Sequence, residues 1–189
     1  MNDIKKPRGP DRLPGDPTAE QIVEKILRVD HAGEYGAVRI YEGQMAVLGN
    51  TTIASTIKDM LEQEKEHLAT FKNLIMEQRV RPTALLPLWH AAGFALGAAT
   101  ALMGERAAMA CTVAIEETID EHYADQITAL APYKEHRNLQ NICAQFREEE
   151  LEHRVIGLEH GAENVQGYEA LRATIKAGSK LAIWLSARI

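Results

Sequence analysis

Six residues of this sequence have the types and spacing to hold metal ions. Glu34 stands alone, Glu64 and His67 form a Glu-x-x-His, Glu116 stands alone, and Glu150 and His153 form a second Glu-x-x-His. Glutamate and motif are 30 residues apart from Glu34 to Glu64 and 34 apart from Glu116 to Glu150, so one unit is repeated. All six interrupt apolar stripes. Glu34 lies between Leu27 and Val38, Glu64 between Leu61 and Leu68, and His67 between Met60 and Phe71. Glu116 lies between Val113 and Ile119, and Glu150 and His153 lie between Phe146 and Ile156. Residues three, four or seven apart share a helix face, so four carboxylates and two imidazoles should converge in one interior.

Ionised carboxylates are seldom buried without partners, because losing their hydration is costly. Four together would repel one another and take up protons. Two divalent cations remove the conflict by neutralising four negative charges. Glu64 and Glu150 would then bridge, Glu34 and Glu116 would terminate, and each cation would take one imidazole, leaving positions open for dioxygen or water. Mixed oxygen and nitrogen donors suit iron or manganese, and the lack of cysteine donors argues against a zinc–thiolate site. One glutamate from each of two helices and Glu-x-x-His from two more is the ligand set of ferritin-like di-metal carboxylate proteins.

Helices must position these groups, and the sequence supplies them. After Pro17 the chain reads as helix nearly throughout, which predicts an all-α fold. Thr18, with Gln21 in capping-box position, starts a first helix that Gly49-Asn50 ends near Leu48. A second runs from about Thr51 to Arg79, before Pro82. A third bundle helix covers 105–130 and ends before Pro132, a fourth covers roughly 134–162, and an additional apolar helix follows Gly167 to Ile189. Together they predict a ferritin-like four-helix bundle with an additional C-terminal helix, as a single domain over 18–189. Residues 1–17, rich in Pro, Gly and charge, read as a disordered lead-in with no signal peptide.

Segment 83–104 contains no Asp, Glu, Lys or Arg. It occupies the place of the long crossover that such bundles need between the second and third helices. Three readings compete for it: a buried crossover helix, a membrane span, or a helix lying against one leaflet. As a continuous helix it would be about 33 Å long, enough to span. Gly93 and Gly97 would permit close helix packing, and Arg79 and Arg81 flank the segment where lipid headgroups or solvent would lie.

The net charge of −6 excludes an ordinary nucleic-acid binder. Cys111 and Cys143 sit in apolar helical contexts with no CxxC, and read as small buried hydrophobes in a reducing compartment.

The stretches VDHAGEYGAVRIYEGQMAVLG (29–49), EQEKEHL (62–68), MACTVAIEE (109–117) and FREEELEHRVIGLEHGAE (146–163) resemble the demethoxyubiquinone hydroxylase family of ubiquinone biosynthesis. So do RVRPTALLPLW (79–89), GFALGAATALMG (93–104) and IKAGSKLAIWLS (175–186). The resemblance covers nearly everything after residue 18. It implies a monooxygenase that uses dioxygen and two iron ions (Fe2+) to hydroxylate the ring of a polyprenylated demethoxy-benzoquinol. It also implies that the ligands are Glu34, Glu64, His67, Glu116, Glu150 and His153. Location is expected to be peripheral, on the cytoplasmic face of a bacterial cell membrane, with a lipid-binding partner protein and room for a homo-oligomer.

Around the six, His122 and Tyr123 are expected to contact the quinol or carry protons, or else to be a partly exposed histidine and a core tyrosine. Asp30 could orient a ligand imidazole or simply begin a helix. Glu66, Glu117, Glu149 and Glu152 read as surface groups or as partners of the ligands. Two other functions compete: a ferritin-like iron-storage or peroxide-reducing protein, and a non-enzymatic membrane-associated bundle.

Overall fold

The computed structural model describes residues 15–189, so residues 1–14 of the expected lead-in lie outside it. Its helices are α1 (Ala19–Leu48), α2 (Ala54–Glu77), α3 (Leu86–Leu102), α4 (Glu105–Leu130), α5 (Arg137–Glu159) and α6 (Tyr168–Ser186), and no strand occurs among the described residues. Thr18 caps α1 as expected. Its side chain accepts from Gln21 N, and the Gln21 side chain accepts from Thr18 N, closing a reciprocal box. The stretch read as one helix over 134–162 divides into a short 3-10 turn, Lys134–His136, and α5.

α1 packs on α2 and α4 on α5, which pairs the two repeated units. Their apolar stripes form two clusters. One gathers Val38, Tyr41, Met60, Leu61, Met109 and Val113, and the other Leu27, Phe71, Tyr123, Leu139 and Phe146. The six chemical residues lie between these clusters in sequence on every bundle helix, so a polar layer divides the core. Cys111 and Cys143 are free and buried.

The crossover is shorter than its charge-free sequence. α3 covers 17 residues, and among the described residues no helix is long and apolar enough to cross a membrane. Instead, α3 lies against the outside of α1. The small residues make this possible: a Cβ on Gly97 would stand 1.9 Å from the Ile40 carbonyl oxygen, and one on Gly93 would stand 2.9 Å from that of Gly36. From the other side, a Cβ on Gly43 would meet the Phe94 carbonyl at 2.3 Å. Backbone therefore rests on backbone. The Tyr35 hydroxyl meets His90 Nδ1 at 2.6 Å at the same crossing.

α6 packs on α4 through an apolar contact of Ile175 and Leu171 with Ile115, and through a set of ion pairs. Glu117 of α4 binds Arg172 at 2.7 Å and Lys176 at 2.9 Å, while Glu121 binds Lys180 at 2.7 Å and Lys176 at 3.2 Å. Glu117 is thus a fastener between two helices. The far end of α6 is tied to α3 by the Trp89 indole, which donates to Ser186 Oγ at 3.0 Å.

Candidate metal centre

The structure brings all six residues into the polar layer, each no more than 2% exposed. They form two overlapping groups. Glu34, Glu64, His67 and Glu150 each offer a ligand atom within 4.8 Å of the others, and so do Glu64, Glu116, Glu150 and His153. The carboxylates common to both groups are Glu64 and Glu150; Glu34 and Glu116 belong to one group each. In each imidazole Nδ1 faces the cluster. His67 Nδ1 is 3.1 Å from Glu150 and 3.6 Å from Glu34, and His153 Nδ1 is 3.1 Å from Glu150 and 3.2 Å from Glu64.

The protein alone does not satisfy these groups. Glu34 Oε2, both oxygens of Glu64 and Glu116 Oε2 are buried with no hydrogen-bond partner. An orphaned buried acceptor costs about 1–3 kcal/mol, and more when charged, so four in one layer call for cations. The donor set of carboxylate oxygens and imidazole nitrogens fits a pair of divalent ions.

Without cations, protons fill the role. Burial, reinforced by the charges of neighbouring glutamates, raises Glu34 above the usual carboxylate range and Glu64 and Glu116 well above it. Burial opposes ionisation of Glu150 as well, but hydrogen bonds from His153 and His67 overcome it and bring this carboxyl down to about 2. Burial works against His67 too, yet its hydrogen bond to Glu150 and the negative charge of nearby Glu34 push it up to about 12. His153 is raised against burial by Glu150 and Glu116.

The surrounding layer repeats with the ligands. Tyr41 lies seven residues after Glu34 on α1, and Tyr123 seven after Glu116 on α4. Each serves the opposite half: the Tyr41 hydroxyl donates to Glu116 Oε1 at 2.9 Å, and the Tyr123 hydroxyl donates to Glu34 Oε1. The residues before the shared glutamates behave alike. His153 Nε2 meets Gln63 Oε1 at 2.9 Å, and His67 Nε2 meets Glu149 Oε2 at 2.6 Å. Partial burial of Glu149 opposes its charge, but hydrogen bonds from Gln145, His67 and Gln63 lower it below the usual carboxylate range. Sequence reasoning singled out neither Tyr41 nor Gln63. The signal for both was their place in the repeat.

Asp30 does not orient a ligand imidazole. Its side chain accepts from Gln126 Nε2 and lies 3.4 Å from His122 Nε2, and Gln126 Nε2 is 2.7 Å from the same histidine nitrogen. Asp30 thus spends its hydrogen bonds on residues of α4, and the far nitrogens of His67 and His153 are held by Glu149 and Gln63 instead. His122 and Tyr123 divide accordingly: Tyr123 is fully buried on Glu34, and His122 is partly exposed beside Asp30.

Both residues, with Asp30 and Glu34, line one cavity of about 390 Å³ bounded by α1, α3, α4 and α6. The rest of its wall is mainly apolar, including Ile40, Leu96, Ile115 and Ile183. The cavity reaches the centre at Glu34 and does not touch Glu116. On the helices that form its outer wall, Leu88, Leu181 and Trp184 are about half exposed.

The family model of ubiquinone biosynthesis protein COQ7 matches residues 21–186. The chain is 55% identical over 180 residues to the 3-demethoxyubiquinol 3-hydroxylase of Rhodospirillum rubrum, covering 95% of this chain and 84% of that protein. It is 52% identical over 176 residues to the mitochondrial NADPH-dependent 3-demethoxyubiquinone 3-hydroxylase of Homo sapiens, covering 92% and 81%. Against the mitochondrial 5-demethoxyubiquinone hydroxylase of Saccharomyces cerevisiae it is 39% identical over 183 residues, covering 89% and 78%. A match across nearly the whole helical chain, with these relatives beside it, places the protein in the COQ7 family of ubiquinone biosynthesis proteins.

Proposed function

We propose that this protein hydroxylates the ring of a polyprenylated demethoxy-benzoquinol, using dioxygen and two irons held by Glu34, Glu64, His67, Glu116, Glu150 and His153. The observation that carries the reading is the junction of the buried carboxylate cluster with an apolar cavity, at Glu34. A storage or peroxide-reducing protein would need the cluster but has no use for a greasy chamber beside it. The names of the relatives supply the substrate class.

Bound iron would supply the activation of dioxygen; one oxygen atom enters the ring, and the other leaves as water with two protons and two electrons from a reductant. The human relative is named NADPH-dependent. The chain's own residues do the rest. Glu64 and Glu150, which belong to both groups, would be shared by the two cations, and Glu34 and Glu116 would each serve one. The apolar wall excludes bulk water and accepts a ring and the first part of a prenyl tail. Tyr123 fixes the Glu34 carboxylate where the cavity meets the centre. His122, held at Nε2 by Gln126 and Asp30 on the cavity wall, would keep a quinol oxygen in register. The half-exposed apolar residues of α3 and α6 suit contact with one membrane leaflet, from which such a substrate would enter. We place the protein peripherally, on the cytoplasmic face of a bacterial membrane.

The test is turnover by protein reconstituted anaerobically with ferrous iron, given a demethoxy-quinol with a short prenyl tail, a reductant and 18O2. One labelled oxygen in the ring is expected, and none with Glu150→Gln. Iron that oxidises at the same rate with and without quinol, with no labelled product, would replace this reading with ferritin-like chemistry.

A further inference from the structure

The ligands and the tyrosines that hold them match between the two halves of the centre, but the groups behind the two imidazoles do not. Glu34 corresponds to Glu116, Tyr41 to Tyr123, Glu64 to Glu150 and His67 to His153, each with the same partner type across the bundle. The residue before each shared glutamate breaks the match: it is Gln63 on α2 and Glu149 on α5. As a result the two imidazoles have chemically different supports. His67 Nε2 donates to a carboxylate at 2.6 Å, and His153 Nε2 donates to an amide carbonyl at 2.9 Å. The carboxylate is itself anchored, because Gln145 Nε2 donates to its other oxygen at 2.9 Å.

The chemical consequence follows from what a hydrogen bond does to the far side of the ring. A charged acceptor takes a larger share of the Nε2 proton and leaves more electron density on Nδ1, making it a better donor to a cation. A neutral amide carbonyl fixes the ring and its tautomer but adds little basicity. The better donor sits in the half that contains Glu34, and that half alone touches the apolar cavity.

We propose that the pair Glu149 and Gln63 makes the two metal positions unequal, so that the position of Glu34 and His67, beside the substrate cavity, takes a divalent cation more tightly than that of Glu116 and His153. The inference rests on the two-metal reading and adds an order of filling to it. Both residues act through the imidazoles and are positioning residues. A first cation is held next to the cavity, and the distal position is the one left empty when metal is scarce.

The experiment is an anaerobic titration of the full-length, metal-free protein with Co2+, followed by its visible absorption. Wild type should fill in two steps whose dissociation constants differ by about tenfold or more. Glu149→Gln should weaken the first step by about 10–100-fold, leave the second in place and bring the two together. Gln63→Glu should instead tighten the second step, again bringing them together, and it tests the idea even if the first variant folds poorly. Two equal steps in wild type, or a Glu149→Gln variant that weakens only the second step, would overturn the inference and leave the two-metal reading standing. A folded protein that binds no Co2+ would overturn both.

Discussion

Substituting Gly97 by Ala tests whether α3 is seated on α1 as closely as the structure shows. An added Cβ would lie 1.9 Å from the Ile40 carbonyl oxygen and 2.7 Å from its carbonyl carbon, both backbone atoms that cannot rotate away. Real Cβ atoms essentially never come within 3.0 Å of such a neighbour, so the helices must part by about 1 Å. Overpacking on this scale costs about 3 kcal/mol. Alanine returns about 1 kcal/mol of helix propensity over glycine, leaving a net loss of about 2 kcal/mol. For a chain of this size that is a fall in Tm of about 4–8 °C. Gly36→Ala is the control: it gains the same propensity, and its Cβ meets nothing within 4 Å, so its Tm should rise by about 2–4 °C. Differential scanning calorimetry of the two variants gives the answer. The metal ligands lie on α1, α2, α4 and α5, so Gly97→Ala should keep its cation stoichiometry while its affinity for a prenylated quinol falls, because α3 is a wall of the cavity. A Gly97→Ala protein as stable as wild type would refute the backbone-on-backbone seating. Matching Tm shifts of one sign in both variants would refute the argument that space, not propensity, decides at these glycines.

Metal affinity should depend on pH through the protons that cations displace. His67, raised to about 12, keeps a proton throughout pH 6–8 in the metal-free protein, and Glu64 and Glu116 are raised well above the carboxylate range. Glu150, at about 2, releases none. Each proton expelled makes affinity rise tenfold per pH unit, so the affinity for Co2+ should fall by at least about 100-fold from pH 8 to pH 6; a flat profile in calorimetric titrations would contradict the proton-filled centre. Tyr41→Phe removes the donor to Glu116 Oε1 and should lower unfolding free energy by about 1–3 kcal/mol in urea titrations of the metal-free protein. Cation loading should restore much of that loss, because the orphaned carboxylate is then a ligand.

Much of this arrangement was legible before any coordinates. A glutamate or histidine at three-, four- or seven-residue spacing from buried leucine, valine or phenylalanine must face inward, so the convergence of the six followed from helical period alone. The helix ends followed from local chemistry, as in the Thr18–Gln21 box and the stop before Pro132. What periodicity does not give is the neighbour across the gap. Asp30, read as a support for a ligand imidazole or a plain helix start, is buried with His122 and Gln126 as its partners, because the choice of partner depends on how α1 and α4 are rotated. Glu149 lies at the edge of its stripe, where a small turn of α5 separates a solvated residue from one that holds His67. Tyr41 reads as apolar from its ring, and only the fold shows what its hydroxyl meets. The charge-free run at 83–104 carried length but not position. Its glycines decide the matter by letting two backbones touch, and a hydropathy pattern does not register a missing side chain as a contact.

The ionic attachment of α6 has a consequence for how a long-tailed molecule could reach the cavity. Only Ile175 and Ser186 of this helix are fully buried, and beside the apolar contact of Ile175 and Leu171 it is held to α4 by Glu117 and Glu121 with Arg172, Lys176 and Lys180. Attachments of this kind weaken with ionic strength, and a segment with so little apolar burial opens locally at a fraction of the global unfolding free energy. Amide hydrogens along α6 should therefore exchange ahead of those in α1 and α4, and faster still in high salt. A wall that swings out sideways exposes the whole length of the chamber at once. A polyprenyl chain could then be laid in from the side like a cord into a slot, instead of being threaded end-first through a fixed hole.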